Sequence, residues 1–274
     1  MKKTVKIVIA THKKYEMPED DIYMPVHVGA EGKVDSQGKP LSLGYTKDNT
    51  GDNISTKNDS YSELTGLYWA WKNLDTDYIG LAHYRRLFGG SKRVGKDRVK
   101  WAITGAELDK LIENNDIILP KKRHYYIETL YSHYEHTHYA NQLDETREVI
   151  ADLYPNYLEM YDKVLNQRSG YMFNMVIMRR DLLDKYCSWL FRILFELEKR
   201  MGKQNLSKFQ GRFYGRISEI IFNVWLQYQI KQGNIAKDRI QEVTIVYVEP
   251  VNWFRKGQAF LAAKFLHKRY KGSF

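Results

Sequence analysis

The sequence predicts an α/β fold, and three observations lead to that prediction. Short apolar runs of strand length recur along the chain, longer segments of helical periodicity separate them, and several runs stop abruptly at polar or basic residues. Residues 78–82 are mostly apolar, as expected of a strand buried on both faces of a parallel sheet. At 274 residues the chain suits one α/β domain with appended helices.

The predicted elements alternate along the chain. The strands cover residues 6–10, 24–30, 78–82, 116–120, 175–178 and 243–248, and Pro25 favours an edge position for the second. The helices cover residues 61–73, 106–114, 143–153, 157–165, 181–199 and 216–230. Ser60 and Glu63 predict a capping box at the start of the first helix. Cys187 lies in an apolar helical pattern and is expected to be a buried thiol.

Charge and cysteine usage restrict the partners and the compartment. The formal net charge of +10 predicts an anionic partner, which can be a nucleotide, a nucleic acid or an acidic membrane. A single cysteine excludes an internal disulfide and is typical of a cytosolic protein. The basic and then apolar start of the chain is too short for a signal sequence, and no run reaches the roughly 18 apolar residues of a membrane span. A soluble, cytoplasmic protein is expected.

Basic side chains follow the strand of residues 78–82 at once, at His83-Tyr84-Arg85-Arg86. Ligands of open α/β sheets gather outside the carboxyl ends of strands, and guanidinium groups bind phosphate oxygens bidentately. This block therefore predicts an anion site. The alternative is that its basic residues are solvated, or pair with Asp75 and Asp77.

Two loops and a histidine-rich segment provide further candidates. Thr11, His12 and Lys13 follow the first strand, where a nucleotide-side loop and an ordinary polar loop are both consistent with the residues. Residues 31–60 form a long polar loop, which in a compact domain is usually functional or mobile. Four histidines between residues 124 and 138 invite a zinc interpretation, but they lack a clean i, i+4 pair and a cysteine. A tyrosine- and histidine-lined loop that contacts a hydroxyl-rich ligand is favoured.

The end of the chain differs in composition from the rest. Residues 254–274 contain six Lys and Arg residues and no Asp or Glu, interleaved with Phe and Leu. This pattern predicts a basic amphipathic helix suited to an anionic bilayer surface. A helix packed on the domain with its lysines outward is the alternative. The predicted organisation is one domain over residues 1–253 and this tail over residues 254–274.

Five blocks of sequence carry a resemblance to a known family. They are Gly51-Asp-Asn-Ile-Ser55, Tyr61-Ser-Glu-Leu-Thr-Gly-Leu-Tyr-Trp-Ala-Trp71, Tyr78-Ile-Gly-Leu-Ala-His-Tyr-Arg-Arg86, Phe173-Asn174 and Glu219-Ile-Ile-Phe-Asn-Val-Trp225. The chain resembles, over nearly its whole length, the bacterial capsular and exopolysaccharide glycosyltransferases once catalogued as a domain of unknown function. The resemblance implies a GT-A-like, Rossmann-type mixed sheet flanked by helices, with the basic amphipathic helix at its C-terminal end.

The resemblance also implies an activity and its partners. It implies a hexosyltransferase that uses a UDP-sugar donor and a lipid-linked oligosaccharide acceptor, at the inner face of the plasma membrane. Galactofuranose is a candidate donor sugar, because some relatives are associated with its transfer from UDP. No nucleic-acid partner is implied.

One departure from the general GT-A pattern concerns the metal. Most such enzymes end the middle strand with Asp-x-Asp, which holds a divalent cation, whereas this chain has His83-Tyr84-Arg85. Mg²⁺ and Mn²⁺ prefer hard oxygen ligands, which this tripeptide lacks. The hypothesis is that Arg85 and Arg86 replace the cation, and no cofactor is predicted. A metal held by Asp75, Asp77 or the histidines is the alternative.

Further roles are predicted from the resemblance at positions within the five blocks, and from residue type at positions outside them. Glu219 is the predicted general base of an inverting transfer, with a helix-dipole role in a first helical turn as its alternative. The predicted catalytic residues are Glu219, Arg85, Arg86 and His83. The predicted donor site comprises Thr11, His12, Lys13, Asn53, Ser55, Asn58, Tyr84, Phe173 and Asn174. The predicted acceptor site comprises His124, Tyr125 and His133.

Two other functional classes are consistent with the composition. A basic nucleic-acid-binding protein is one, although the arginines lie at a strand end and not along one helix or groove. A non-catalytic assembly protein that docks on the membrane through its tail is the other. Binding of UDP, and salt-sensitive retention on DNA, distinguish these classes from a transferase.

Overall fold

The computed structural model describes residues 2–93, 95–250 and 252–266. The described residues divide into two compact units that interleave along the chain. The first unit draws on Met1–Lys121, Asn174–Cys187 and Ala236–Glu249, and the second on Lys122–Phe173, Ser188–Ile235 and Pro250–Phe274. The predicted division into residues 1–253 and 254–274 stays a prediction, and residues 267–274 of the tail lie outside the described ranges.

A mixed, mostly parallel sheet forms the centre of the first unit. Among the described residues its strands are β1 (Val5–Thr11), β2 (Tyr23–His27), β3 (Thr46–Lys47), β4 (Tyr78–His83), β5 (Arg86–Phe88), β6 (Ile117–Pro120), β9 (Val176–Arg179), β10 (Ile240–Val243) and β11 (Ile245–Tyr247). The order is β10-β6-β9-β4-β1-β2-β3, and β5 pairs with both β4 and β11. β9 runs antiparallel to β4 and β6, whereas β4, β1 and β2 are mutually parallel. The predicted α/β class and mixed sheet are confirmed.

Two strand predictions need correction. The segment 243–248 is not one strand, because the chain changes partner at Thr244: β10 pairs with β6 in parallel and β11 pairs with β5 in antiparallel fashion. β2 is not an edge strand, because β3 pairs with Val26 and His27. Pro25 itself has no partner on β3, so the missing N–H of proline removes no bond there.

Helices α1 (Asn58–Tyr61), α2 (Leu64–Asn73) and α3 (Gly105–Asn114) also belong to the first unit. The single helix predicted over residues 61–73 is wrong, because Ser62 has a φ of 55° and separates α1 from α2. The predicted capping box is also wrong, since the hydroxyl of Ser60 donates to the carbonyl of Lys57. A capping box does form at α3, between Thr104 and Glu107.

The second unit is mainly helical. Its elements are β7 (Arg123–His124), α4 (Leu130–Thr137), α5 (Asn141–Leu153), α6 (Leu158–Leu165), β8 (Ser169–Gly170), the later part of α7 (Arg180–Met201), α8 (Phe213–Lys231) and α9 (Trp253–Leu266). β7 and β8 form a small antiparallel pair. The predicted helices of residues 143–153, 157–165, 181–199 and 216–230 correspond to α5 to α8.

Two predictions about the whole chain concern the thiol and the membrane. Cys187 on α7 is fully buried, as predicted, and burial raises the pKa of its thiol well above the ordinary value. None of the helices in the described ranges combines the length and hydropathy that a bilayer-spanning segment needs.

Candidate functional site

The predicted basic loop and the loop after β1 leave the sheet side by side. β1 and β4 are parallel neighbours, with Ala10 opposite His83, and the backbone N–H of Tyr84 donates to the carbonyl of Ala10 at 3.3 Å. The carboxyl ends of both strands therefore meet at one edge of the sheet. This is the edge at which α/β proteins bind ligands.

Tyr84 is the centre of an aromatic group at this edge. Its side chain is 3% exposed, and its ring centroid lies 5.4 Å from that of His12, 4.4 Å from that of Tyr15 and 4.2 Å from that of His83. Burial raises the pKa of Tyr84, and the positive charge of Arg85 opposes the shift. The tyrosine is therefore a neutral ring that packs the edge and not a base.

Two cations accompany these rings. The Nζ of Lys13 lies 5.8 Å, and the Cζ of Arg85 5.4 Å, from the ring centroid of Tyr84. Together with the three neighbouring rings and Tyr84 they form a set that we call the Tyr84 cluster: His12, Lys13, Tyr15, His83, Tyr84 and Arg85. Cations over aromatic faces at a strand edge make a surface suited to an anion attached to a planar ring.

Arg85 is fixed through its backbone and leaves its side chain available. Its N–H donates to Nδ1 of His83 at 3.2 Å, and its carbonyl accepts from Val248 at 3.1 Å. The Nε atom is buried and has no hydrogen-bond partner among the described residues. A buried donor without a partner is costly, and an anionic ligand would supply the missing acceptor.

Pairing of these arginines with Asp75 or Asp77 was the alternative, and it is wrong. Asp77 accepts hydrogen bonds from the backbone and hydroxyl of Thr4, at 2.7 and 3.0 Å. Both carboxylates precede β4, whereas Arg85 follows it, and a six-residue strand spans about 20 Å. The same separation removes Asp75 and Asp77 as metal ligands beside Arg85.

Arg86 differs from Arg85 because it is the first residue of β5. It pairs with His83 of β4 and with Tyr247 of β11. Its side chain is half-buried. The two arginines are therefore presented differently, one from a turn and one from a strand.

A carboxylate that the sequence did not indicate reaches the same cluster. The hydroxyl of Tyr15 donates to Oε1 of Glu249 at 2.5 Å, and this hydrogen bond raises the pKa of Tyr15. The two residues are 234 positions apart, so only the pairing of β11 with β5 brings them together.

Two residues predicted to bind the donor, Asn53 and Ser55, hold their own loop. Ser55 is buried and donates to Oδ1 of Asp48 at 2.5 Å, and Asp48 also accepts from the backbones of Gly29 and Ala30. The Oδ1 of Asn53 accepts from the N–H of Ser55. The side chains of Asn53 and Ser55 thus stabilise their own loop. Their contact with the donor stays a prediction.

Asn58 makes a similar internal contribution. Its Nδ2 donates to the carbonyl of Ser62 at 2.7 Å and to the hydroxyl of Thr65 at 3.1 Å. The amide therefore holds the junction of α1 and α2. Its predicted contact with ribose or diphosphate stays a prediction.

A second carboxylate lies at this edge in a strained setting. The Nδ2 of Asn174 donates to Oε1 of Glu63 at 2.8 Å. Glu63 precedes α2 and makes no cap for it, and Asn174 precedes β9, which starts beside the carboxyl end of β4. Ser62, Phe173 and Asn174 have φ values of 55°, 75° and 54°. Strained residues of this kind concentrate at functional sites.

In the second unit, Glu219 lies in the second turn of α8 and not at its start. The helix begins at Phe213, so the alternative of a first-turn dipole role is wrong. Glu219 is half-buried, whereas the preceding Ser218 is fully buried. Burial raises the pKa of Tyr134, and the charges of Arg216 and Glu219 act on it in opposite directions. The charge of Glu219 therefore acts on the buried phenol of Tyr134.

The predicted acceptor residues lie together in the second unit. The rings of Tyr125 and His133 are 4.4 Å apart, and His124 is exposed on β7. Nδ1 of His133 lies 2.7 Å from Glu128, which also contacts His136 at 2.5 Å. Burial lowers the pKa of His133, against the opposing hydrogen bond to Glu128. These contacts are internal, and acceptor binding stays a prediction.

The histidine-rich segment is occupied by hydrogen bonds to other side chains. Besides the two contacts of Glu128, Nδ1 of His138 lies 2.8 Å from Gln210. Within the ranges that the structure describes, no group of three or more His, Cys, Asp or Glu side chains could hold a metal ion.

The first unit also contains a cavity of about 200 Å³ beside β5 and β11. It is lined by Arg93, Arg98 and Trp101, together with Gly89, Gly90 and residues 244–247. No acidic side chain is among these lining residues, so the cavity has a positive character. Arg93 is exposed and Arg98 is half-buried, and both line this cavity.

Comparison with known proteins places the chain in a family. Residues 6–231 match the model of a family described as a domain of unknown function, DUF4422. The chain belongs to this family. A solved structure described as the apo structure of the bifunctional glycosyltransferase WbbM is similar to this DUF4422 protein, with a TM-score of 0.80 and 30% sequence identity. The match covers 90% of this chain and 46% of that one, so the chain spans about half of its length. No curated protein matches the sequence.

In this DUF4422 protein, the fold brings together part of the predicted site. Eight of the predicted residues lie at the carboxyl edge of β1 and β4 in the first unit: Thr11, His12, Lys13, His83, Tyr84, Arg85, Arg86 and Asn174. Sequence analysis missed Tyr15, Glu63 and Glu249 at that edge. Glu63 belongs to the block of residues 61–71 that carries the family resemblance, but the sequence analysis assigned it to helix capping.

Proposed function

We propose that this DUF4422 protein is a nucleotide-sugar-dependent glycosyltransferase. It moves a hexosyl residue from a UDP-sugar to a lipid-linked oligosaccharide in capsule or exopolysaccharide synthesis. The observation that carries the proposal is the position of Arg85, whose buried Nε has no described partner, at the ligand-binding edge of the sheet. The similarity to a bifunctional glycosyltransferase supports it.

The Tyr84 cluster suits the nucleotide diphosphate of the donor. Arg85 and Arg86 neutralise the negative charge that develops on UDP as the bond from the anomeric carbon to the diphosphate oxygen breaks. Thr11, His12 and Lys13 contact the uridine side, and Phe173 with Asn174 lines the donor sugar, with galactofuranosyl as the candidate. No step in this scheme needs a divalent cation.

The oxygen of the acceptor hydroxyl attacks the anomeric carbon as UDP leaves, and a carboxylate accepts the proton of that hydroxyl. Glu219, the residue that the resemblance implies, is the proposed base, and His124, Tyr125 and His133 contact the acceptor. Glu63 is a second candidate. It lies in the same unit as Arg85 and accepts a hydrogen bond from Asn174. Asn174 and the neighbouring Ser62 both have left-handed backbone conformations, which concentrate at functional sites.

The experiment is a panel of nucleotide sugars, with and without EDTA, scored for UDP release in the presence of a lipid-linked oligosaccharide. We expect release from a UDP-hexose that EDTA does not reduce. Loss of all release with EDTA would restore the metal hypothesis. If UDP gives no thermal shift and no donor releases UDP, the transferase proposal fails, and salt-sensitive retention on DNA would then favour the nucleic-acid alternative.

A further inference from the structure

Exposed apolar side chains concentrate at one place in the second unit. The large hydrophobic side chains that are clearly exposed, among those described, are Val34 (58%), Tyr126 (78%), Ile127 (49%), Leu261 (50%) and Phe265 (65%). All but Val34 belong to the second unit, and they come from two segments more than 130 residues apart. Single exposed apolar residues need no explanation, whereas a group of them indicates a binding surface.

A lysine joins the two segments. Nζ of Lys264 on α9 donates to the carbonyl of Ile127 at 2.8 Å. Leu261 and Phe265 flank Lys264 at a spacing of four residues, so they share one face of α9. Phe260 stacks on His133 at 5.4 Å, and Ala263 is buried, so the opposite face of α9 packs on the unit. We call Tyr126, Ile127, Leu261 and Phe265 the apolar patch.

The loop that carries Tyr126 is held in an unfavourable conformation. Tyr126 has a φ of 55°, a value that bulky side chains rarely adopt. The loop is fixed on one side by Arg168, which donates to the carbonyl of Tyr126 at 3.3 Å. On the other side the buried Glu128 contacts His133 and His136. The protein thus maintains a strained backbone at a tyrosine whose side chain is exposed to solvent, which points to a function for that ring.

Charge indicates what covers the patch. Lys122 and Arg123 precede the loop, Lys264 lies between Leu261 and Phe265, and residues 254–274 contain six basic residues and no acid. A second copy of the chain would bring the same positive charge against itself. Exposed Tyr, Leu and Phe side chains bordered by lysines are instead suited to an anionic bilayer, where the rings enter the headgroup region and the cations meet phosphate.

We propose that the apolar patch is a docking surface for an anionic membrane, formed jointly by α9 and the loop of Tyr126 and Ile127. The loop is part of the folded unit, so docking does not depend on the C-terminal segment alone. The proposal stands independently of the transferase activity, because it concerns side chains that take no part in the proposed chemistry.

The test is flotation with vesicles of phosphatidylcholine, with and without phosphatidylglycerol. We expect wild-type protein to float with the phosphatidylglycerol vesicles only, and to float less as salt is raised. L261S/F265S and Y126S/I127S should each weaken binding by about tenfold or more, since each removes two inserted side chains. V34S is the matched control, because it removes an exposed apolar side chain outside the patch, and it should bind as wild type does.

Circular dichroism checks that each variant is folded. Equal flotation of both double variants and wild type would overturn the proposal, as would a wild-type protein that floats with neither vesicle. A dimer in solution that L261S/F265S dissociates would show that a second copy covers the patch, and this too would overturn it. Loss of flotation in L261S/F265S but not in Y126S/I127S would contradict the joint surface.

Discussion

Arg85 and Arg86 are adjacent in sequence, yet the fold uses them differently. Arg86 starts β5 and joins the sheet, whereas Arg85 occupies the turn between two strands, with its backbone bonded to His83 and Val248. The turn fixes the direction of the Arg85 side chain without consuming its guanidinium. Such a preorganised donor stabilises developing charge without reorganising during the reaction.

Replacing Arg85 by alanine should therefore affect chemistry more than folding. We expect Arg85→Ala to lower turnover by roughly 10²–10³-fold, about 2.7–4 kcal/mol of barrier, by analogy with the loss of one oxyanion donor. The melting temperature should change little, because Nε has no described partner. Steady-state UDP release measures the first effect, and Lys96→Ala, which removes an exposed cation of the same unit, is the control. Unchanged turnover in Arg85→Ala would contradict the assignment.

The two candidate bases can be separated by isosteric substitution. We expect Glu219→Gln to lower turnover by 10²–10⁴-fold, the usual contribution of a general base, while the thermal shift with UDP is retained. Glu63→Gln is the matched comparison, since the glutamine carbonyl can still accept from Asn174 and the turn is preserved. If the loss appears in Glu63→Gln and not in Glu219→Gln, the base is Glu63.

Among the elements, β4 depends on a glycine at its middle. A Cβ on Gly80 would lie 2.9 Å from a side-chain carbon of Ile177 on β9 and 3.1 Å from one of Ile7 on β1. Both isoleucines are fully buried opposite Gly80 in the sheet register. Because Gly80 has no side chain, the side chains of Ile7 and Ile177 can pack directly over the backbone of β4.

Gly80→Ala should destabilise the protein by about 1–3 kcal/mol, as expected when a methyl group is forced into a packed core. Urea unfolding measures the change. Gly211→Ala is the control, because nothing lies within 4 Å of its added Cβ and its φ is ordinary. A Gly80→Ala variant as stable as wild type would show that β1 and β9 can move apart at no cost.

The start of α3 predicts a pH dependence. Burial acts to raise the pKa of Glu107, but hydrogen bonds from Ser91 and Thr104 outweigh it and hold the pKa at about 2. Because the ordinary value is 4.5, the ionised carboxylate stabilises the fold fully above that pH. This stabilisation is lost as the pH falls through the range from 4.5 to about 2.

Glu107→Gln removes this titration. The difference in unfolding free energy between wild type and Glu107→Gln should be constant near neutral pH and should shrink as the pH falls below 4.5. Urea unfolding at a series of pH values measures it. A difference that does not vary with pH would show that the pKa of Glu107 is the same in the folded and unfolded states.

For the molecule as a whole, α9 is part of the second unit as well as a surface element. Phe260 stacks on His133, Ala263 is buried, and Lys264 binds a loop carbonyl. Removing residues 254–274 should therefore lower the melting temperature, by about 2–4 °C for each kcal/mol lost. UDP release from a soluble assay should persist, because the Tyr84 cluster lies in the first unit.

Differential scanning calorimetry and UDP release on the truncated chain test this expectation. An unchanged melting temperature would show that α9 contributes nothing to the second unit. Loss of UDP release with the fold retained would instead place a catalytic contribution in residues 254–274.

Local pattern determined much of the fold and part of the candidate site. Apolar runs located the strands of β1, β4, β6 and β9 to within about two residues, and helical periodicity located α5 to α8. The abrupt change from Ala82 to His83 located the carboxyl end of β4, because a buried strand must end where charged side chains begin. These features depend on neighbours in sequence, which periodicity encodes directly.

Tertiary structure alone decided the rest. Local periodicity does not encode which distant strands pair, so the antiparallel β9, the split of residues 240–247 into two strands, and the meeting of Tyr15 with Glu249 could not be predicted. Backbone strain at Ser62 and Asn174 was equally hidden, because it arises where Glu63 and Asn174, 111 residues apart, are drawn together. The sequence by itself determined where buried strands end and charged side chains begin. The packing of distant segments determined which side chains meet at those strand ends.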